Sequence, residues 1–281
     1  MGKLILVATP IGNLEDISGR QQVALQAADL VAAEDTPHSG LLLQHIGLKK
    51  PLLSYYQHNE EKREERLLAE LDAGHTVALI SDAGTPGICD PGAAILRAAV
   101  QAGHETDAIP GPCALIQALI LSGLPTERFA FEGFLPRGQA LLPFLQSLRQ
   151  ERRTLIFYEA PHRLQNTLQV MLQAFEPERP LAVCRELTKK FQEVNRGTLA
   201  EMAELWQQRT PRGEFVLVLG GQSAEATPPD EEIRENARQQ LARLLAGGMK
   251  HKAAAKEVAA VYNLPISEVY QMGLDLKTVS Q

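Results

Sequence analysis

Four loops of this sequence contain glycine and proline directly after short apolar runs, and three of them also carry carboxylates. The loops span residues 9–16, 34–40, 81–92 and 110–114. The acidic side chains expected at a shared cleft are Asp16, Glu34, Asp35, Asp82 and Asp90. If the apolar runs are parallel strands, their carboxyl ends meet at one sheet edge, where ligands bind in α/β proteins. Carboxylates and backbone amides in one cleft suit a compact polar or positively charged cofactor and a reaction that depends on positioning.

The loop at residues 81–92 is the most informative of the four. It reads SDAGTPGICDPG, with three glycines and two prolines, and it follows the apolar run 77–80. Glycine permits positive φ and close approach of the backbone to a ligand, and proline fixes the path of the chain. An ordinary tight turn is the alternative interpretation. The position after a strand favours a binding loop.

Several well-known site motifs are absent. Neither the dinucleotide fingerprint GxGxxG nor the phosphate-binding sequence GxxxxGK[ST] occurs, and HExxH and GxSxG are missing too. His38 and His58 are isolated, and no Cys or His set has ligand spacing. The sequence therefore predicts no metal site and no serine nucleophile.

Composition narrows the class of protein further. The chain has 281 residues, 44% of them apolar, which suggests two domains with buried cores. A net charge of −6 argues against nucleic-acid binding by the whole surface but permits a local basic patch. The three widely spaced cysteines form no CxxC, so we expect reduced thiols in a cytoplasmic protein. The apolar run at 4–8 is too short for a signal peptide or a membrane span.

The elements that must position the loops follow from alternating apolar and amphipathic runs. The first five strands are expected at 4–8, near 30–33, at 52–53, at 76–80 and before 109. Helices between them are typical of a parallel sheet covered by helices, and we place this domain at residues 1–123. A second α/β domain is expected at 126–222. Its strands are expected at 129–134, 154–158, 181–184, 193–197 and 215–219.

The last part of the chain, residues 230–281, has a wholly helical pattern after a polar linker at 222–229. Residues 233–281 contain seven Lys or Arg and four acidic side chains. Two amphipathic runs separated by a break at 262–265 predict a helix-turn-helix. An RNA contact and the packing of small helices on a neighbour both fit this pattern.

Five segments together resemble one enzyme family. They read ATPIGNLEDI from residue 8, AEDT from 33, SDAGTPGICDPG from 81, PGPCAL from 110 and CRELTK from 184. In this order they are similar to the bacterial small-subunit (16S) ribosomal RNA cytidine 2′-O-methyltransferases, which are class III, tetrapyrrole-methylase-like enzymes that use S-adenosylmethionine. The resemblance covers residues 3–221, and such proteins carry a similar tail. This chain has Pro37 where we expect Arg, and Cys89 and Cys113 where we expect Ser.

The resemblance implies two α/β domains with S-adenosylmethionine in the cleft between them. It also implies a homodimer and, as acceptor, a flipped-out or single-stranded cytidine ribose in small-subunit RNA, with the assembled particle favoured. The methyl group on a sulfonium is already electrophilic, so the enzyme has to align the ribose 2′-oxygen and help to remove its proton. A tetrapyrrole or corrin methyltransferase of the same superfamily and a non-catalytic ribosomal-RNA-binding assembly factor are the alternatives.

Three groups of side chains are candidates for these roles. For the cofactor they are Asp82, Ala83, Gly84, Ile88, Pro112, Cys113, Ala114, Tyr158, Ala160, Gly213 and Glu214. For catalysis they are Glu34 and Asp35, although loop acids also commonly cap helices. Asp90 is expected to cap the helix that follows it rather than to contact a ligand. For RNA they are Arg137, Arg163, Arg185, Lys189 and Lys190, for which a solvated surface is the alternative.

Overall fold

A computed structural model describes residues 1–56, 60–222, 231–262 and 264–279. Residues 1–222 form one compact unit and residues 223–281 a second one, of which the described parts are reported separately below. The predicted linker at 222–229 lies, apart from Gln222, outside the described residues, as does Asn263 in the predicted break of the tail.

The first sheet contains five parallel strands. They are β1 (Lys3–Val7), β2 (Leu30–Ala33), β3 (Leu52–Ser54), β4 (Thr76–Ile80) and β5 (Glu105–Ile109). Their order is β3-β2-β4-β1-β5, with every pairing parallel. The helices between them are α1 (Gly19–Ala27), α2 (Thr36–His45), α3 (Glu60–Asp72) and α4 (Ala93–Gln101). β2 is buried throughout, and β1 and β4 are buried after their first residue, as expected of strands covered by helices on both faces.

Helix α2 begins within a segment that we expected to be a loop, residues 34–40. Asp35 accepts a hydrogen bond from the backbone amide of His38, which makes it the N-cap, and Pro37 stands in the first turn. The carboxylate accepts a hydrogen bond from an unpaired amide of the first turn, and proline has no amide hydrogen that would need a partner there, so both favour the start of a helix. The predicted loop is therefore limited to its first two residues.

The second sheet is mixed. After α5 (Ala114–Ser122), its elements are β6 (Phe129–Phe134), α6 (Leu141–Ser147), β7 (Thr154–Glu159), α7 (Leu164–Ala174), β8 (Pro180–Arg185), β9 (Glu193–Thr198), α8 (Leu199–Gln207) and β10 (Phe215–Leu219). The strand order is β6-β7-β10-β8-β9, and only β6 and β7 are parallel. Both predicted sheets are confirmed.

Helices cover both faces of the second sheet. On one face, Phe157 and Leu217 pack with Trp206 of α8. On the other, Ile156 and Val218 pack with Leu115 of α5. The helix that directly follows the first sheet thus has its core on the second, although the predicted boundary at residue 123 assigns it to the first domain.

The described helices of the second unit are α9 (Glu231–Ala246), α10 (His251–Tyr262) and α11 (Ile266–Val279). Leu241, Val258 and Val269, one from each helix, are fully buried in a common core. The helical prediction for the tail is confirmed. In the described part of the chain, every helix falls short of the length and apolar character that crossing a membrane requires.

A close backbone approach at the end of the second sheet yields a stability prediction. A Cβ on Gly221 would lie 1.8 Å from the carbonyl oxygen of Arg152, whereas one on Gly19 meets nothing within 4 Å. We expect Gly221→Ala to lower the free energy of unfolding by about 1–3 kcal/mol, since the backbone must shift. Chemical denaturation measures the change, with Gly19→Ala as the matched control. Equal stability of the two variants would contradict the prediction.

Candidate active site

The predicted loops converge at the carboxyl edge of the first sheet. The backbone amide of Thr9, after β1, donates to the carbonyl of Gly84, after β4, at 2.8 Å, and the Gly84 amide donates back at 3.1 Å. The Thr85 hydroxyl donates to the carbonyl of Pro112, after β5, at 3.3 Å. Three of the four loops are therefore joined directly, as parallel strand ends predict.

The fourth loop joins them through a carboxylate. The backbone amide of Asp35 donates to Oδ1 of Asp82 at 2.9 Å. The side chain of Asp35 is itself occupied as the N-cap of α2, at 3.1 Å from the His38 amide nitrogen. Asp82 therefore ties the end of β2 to the end of β4, and the geometry gives Asp35 a structural contact.

The converging loops form one wall of a cleft of about 360 Å³, and the ends of β6, β7 and β10 form the other. A volume of this size is typical of ligand pockets. It is lined by Ile11, Asp82, Ala83, Gly84, Thr85, Ile88, Cys89, Asp90, Cys113, Ala114, Phe134, Tyr158, Glu159, Ala160, Pro161, Glu214, Phe215 and Val216.

Most residues predicted to bind the cofactor line this cleft. They are Asp82, Ala83, Gly84, Ile88, Cys113, Ala114, Tyr158, Ala160 and Glu214. Pro112 and Gly213 are not among the lining residues. Pro112 offers its carbonyl to Thr85, and Gly213 lies against the carboxylate of Glu186. The sequence thus located the cleft, while the roles of these residues remain predictions.

Asp90 is a lining residue that we expected to be a helix cap. The N-cap of α4 is Gly92 instead, so the capping prediction for Asp90 is wrong. Two glycines at positive φ, Gly87 and Gly92, and Cys89 at φ 62° bend the loop around this position. The Pro91-Gly92 pair is the signal that was available, because it ends the loop before the helix begins and leaves Asp90 inside it.

The carboxylates of the cleft interact with Glu34, a predicted catalytic residue that is not among the residues lining the cleft. Burial, together with the charges of Glu34 and Asp82, raises the pKa of Asp90 to about 6, although a hydrogen bond with Ser81 opposes the shift. Burial and the charges of Asp82 and Asp35 raise the pKa of Glu34 as well. Like charges in a half-buried place disfavour full ionisation and favour a cation between them.

The opposite wall of the cleft is aromatic. The ring of Tyr158 makes edge contacts with Phe131 and Phe134, at centroid distances of 4.9 and 5.5 Å. Burial raises the pKa of the Tyr158 hydroxyl above its usual range, so this side chain is neutral in the folded protein. An apolar wall facing an acidic one suits a ligand with a flat ring at one end and a positive charge at the other.

Lys189, predicted to contact RNA, forms ion pairs at the edge of the cleft. Its ammonium lies 3.0 Å from a carboxylate oxygen of Glu186 and 2.8 Å from one of Glu214. Its methylenes lie against Gly12, where a Cβ would come within 2.4 Å of Cγ. Lys189 therefore connects the loop after β1 to the second sheet.

Of the other residues predicted to contact RNA, two donate hydrogen bonds to backbone carbonyls and two are exposed. Arg163 donates to the carbonyls of Leu135 and Pro136 at 3.0 and 2.6 Å. Arg185 donates to the carbonyl of Arg212 at 2.6 Å. Arg137 and Lys190 are exposed, so these two side chains are accessible to a large partner.

Among the described residues, no group of three or more His, Cys, Asp or Glu side chains has an arrangement that could hold a metal ion. The three cysteines are unpaired: Cys89 is exposed, Cys113 is half-buried and Cys184 is buried.

Comparison with known proteins adds the family to this geometry. Residues 3–203 match the model of the Tetrapyrrole (Corrin/Porphyrin) Methylases, and residues 231–277 match that of the RsmI C-terminal HTH domain. Uroporphyrin-III-C-methyltransferase from Thermus thermophilus superposes with a TM-score of 0.57 and 25% identity, over 78% of this chain and 94% of that one.

Two relatives bear the same name, Ribosomal RNA small subunit methyltransferase I. The protein from Synechocystis sp. is 49% identical over 282 residues, covering 99% of each chain. The protein from Thermotoga maritima is 44% identical over 221 residues, which are 79% of this chain and 99% of its own length. The chain belongs to the Tetrapyrrole (Corrin/Porphyrin) Methylases and, within them, to the family of these ribosomal RNA small subunit methyltransferases I.

The raised pKa of Asp90 yields a second stability prediction. The pKa of Asp90 is about 6 in the folded protein, against an ordinary value of 3.8. The free energy of unfolding therefore decreases as the pH rises from about 4 to about 6, and it stays at the lower value above pH 6. We expect Asp90→Asn to raise the Tm at pH 8 by about 2–6 °C and to give little change at pH 4. Thermal denaturation across this range measures it. A Tm difference between the variant and the wild type that does not depend on pH would contradict the raised pKa of Asp90.

Proposed function

We propose that this protein transfers a methyl group from S-adenosylmethionine to the ribose 2′-oxygen of a cytidine in the small-subunit (16S) ribosomal RNA. Full-length similarity to relatives named for small-subunit RNA methylation carries the choice of substrate. The cleft supports the choice of cofactor. We include in the proposal the assembled subunit as acceptor, a homodimer as the active form, and a cytoplasmic location, where ribosomes are modified.

The residues of the cleft fit S-adenosylmethionine. Small side chains at Ala83, Ala114 and Ala160 permit close approach of a ligand, and Gly84 adopts φ +89°. Tyr158 and Phe134 offer an apolar wall for an adenine ring, and Asp82 and Asp90 offer negative charge for a sulfonium. When bound, S-adenosylmethionine supplies an electrophilic methyl group.

We assign the handling of the ribose proton to the carboxylates of Asp90 and Glu34. Asp90 accepts the proton of the 2′-hydroxyl as the ribose 2′-oxygen attacks the methyl group. A carboxylate with a pKa of about 6 suits this role because it is ionised at neutral pH and is still basic enough to bind the proton. Burial is the main cause of the raised pKa of Asp90, and the charge of Glu34 raises it further. We assign Asp35, whose side chain is the N-cap of α2, a structural role.

The proposed reaction is tested by methyl transfer from labelled S-adenosylmethionine to purified small subunits that lack the modification. We expect label at one ribose, mapped by nuclease digestion and resistant to alkaline cleavage. Binding of S-adenosylmethionine without transfer to subunits or naked RNA would favour a tetrapyrrole or corrin substrate. Failure to bind the cofactor, with RNA affinity retained, would favour a non-catalytic assembly factor.

The role of Asp90 predicts a particular pH dependence. In the wild type, kcat should rise with pH below about 6 and level off above it, as the carboxylate loses its proton. In Asp90→Asn, kcat should fall at least about 100-fold and lose this rise, and the Kd of S-adenosylmethionine should increase, because one of the two negative charges offered to the sulfonium is removed. Single-turnover rates from pH 5 to 8 measure both. A retained rise in Asp90→Asn would assign the proton to another group.

A second set of variants distinguishes the role of Glu34 from that of Asp35. Glu34→Gln should lower kcat and move the pH midpoint downward, since removal of its charge lowers the pKa of Asp90. Glu204→Gln, exposed on α8, is the matched control. Asp35→Asn keeps a good N-cap, so unchanged turnover would indicate capping alone. A large loss of kcat in Asp35→Asn would restore it as a catalytic candidate.

A further inference from the structure

A second groove lies at the other end of the second sheet. It has a volume of about 470 Å³, and its charged lining residues are Arg128, Glu151, Arg152 and Arg153. We call the three arginines the distal arginine cluster. They come directly before β6 and β7, the two parallel strands whose opposite ends form one wall of the active-site cleft.

A buried arginine holds the backbone beneath this cluster. Arg179 is only 4% exposed. Its guanidinium donates to the carbonyls of Gly220, Arg149 and Glu151 at 2.6, 3.2 and 3.0 Å. The amide of Gln222 donates to the same Glu151 carbonyl at 2.7 Å. The turn at residues 149–153 is therefore fixed, and the side chains on it project from a rigid base.

The charges of the cluster are only partly neutralised. Glu151 forms a two-pronged pair with Arg153, at 3.0 and 2.7 Å, and these hydrogen bonds lower the pKa of Glu151 to about 2. Arg128 and Arg152 are exposed, and neither forms an ion pair with any residue that the structure describes. The groove thus carries two uncompensated guanidinium groups beside a paired one.

Position connects this groove to the cleft. Four residues of β7 separate Arg153 of the groove from Tyr158 of the cleft, and a strand rises about 3.3 Å per residue, so these two residues lie about 17 Å apart. A single nucleotide cannot reach both places, whereas a folded RNA can place a ribose in one and a backbone phosphate in the other.

We propose that the distal arginine cluster binds the phosphate backbone of the substrate RNA, outside the nucleotide that is methylated. This inference rests on the proposed function. Guanidinium groups bind phosphate oxygens with paired hydrogen bonds and position an RNA without reading its sequence. An RNA is favoured over an acidic protein because the lining residues named for this groove include no aromatic side chain to anchor a protein interface.

The test compares Arg128→Gln/Arg152→Gln with Arg66→Gln/Arg97→Gln, which removes two exposed charges from α3 and α4. We measure the Kd for naked 16S RNA and for small subunits between 50 and 200 mM salt. For naked RNA, the double variant of the cluster should bind about tenfold more weakly at low salt, and its plot of log K against log salt should lose about 1.4–1.8 of slope. Arg128→Lys/Arg152→Lys should keep the slope, and the Kd of S-adenosylmethionine should not change.

Each outcome is informative. An unchanged slope in a variant that still methylates subunits would overturn the cluster's role and leave the proposed function intact. Weaker binding to subunits with unchanged binding to naked RNA would assign the surface to a ribosomal protein and overturn the RNA proposal. A wild-type protein that binds neither RNA nor subunits would overturn the proposed function and, with it, this inference.

Discussion

The paired backbone hydrogen bonds between Thr9 and Gly84 are the contact on which the rest of the site depends. They join the loops after β1 and β4 beyond the last residue of either strand and form an isolated antiparallel bridge, in contrast to the parallel pairing of the two strands themselves. Because Gly84 adopts φ +89°, the chain turns back at this point and the following residues face the second sheet. Asp90, Ile88 and Cys89 owe their positions to that turn, and Asp82 fixes the end of β2 to the same frame.

Asp90 in the cleft and Glu34, whose charge acts on it, illustrate a conflict between stability and ligand binding. Asp90 and Glu34 both have raised pKa values, so their negative charges cost stability in the folded chain. A bound cation relieves that cost, and the relief contributes to affinity. A protein selected only for stability would replace these acids with neutral side chains, which makes their joint presence beside a ligand-sized cleft an indication of function.

Much of this architecture follows from the sequence alone. The buried runs in β1, β2 and β4 mark a parallel sheet, and the loops after them had to meet at one edge. Two features escaped prediction because they depend on contacts distant in sequence: Lys189 pairs with Glu214 across 25 residues, and the core of α5 lies on the second sheet. The position of Asp90 was wrongly predicted although its cause is local, because the glycine turns around it keep it in the loop and out of the cap of α4. Local pattern identifies which residues are polar, but not which neighbour the fold supplies.

The packing of α5 has a consequence for how this part of the chain unfolds. Ala114 at the start of the helix lines the cleft below the first sheet, while Leu115, Ala118 and Leu119 are buried against the second. A fragment cut at residue 123 would expose this apolar face, and a fragment that starts there would leave the matching face of the second sheet bare. Helix α5 therefore follows the first sheet along the chain but completes the core of the second sheet. Because residues 1–222 form one compact unit, they should lose their structure in a single cooperative transition, with the cleft intact until both sheets melt.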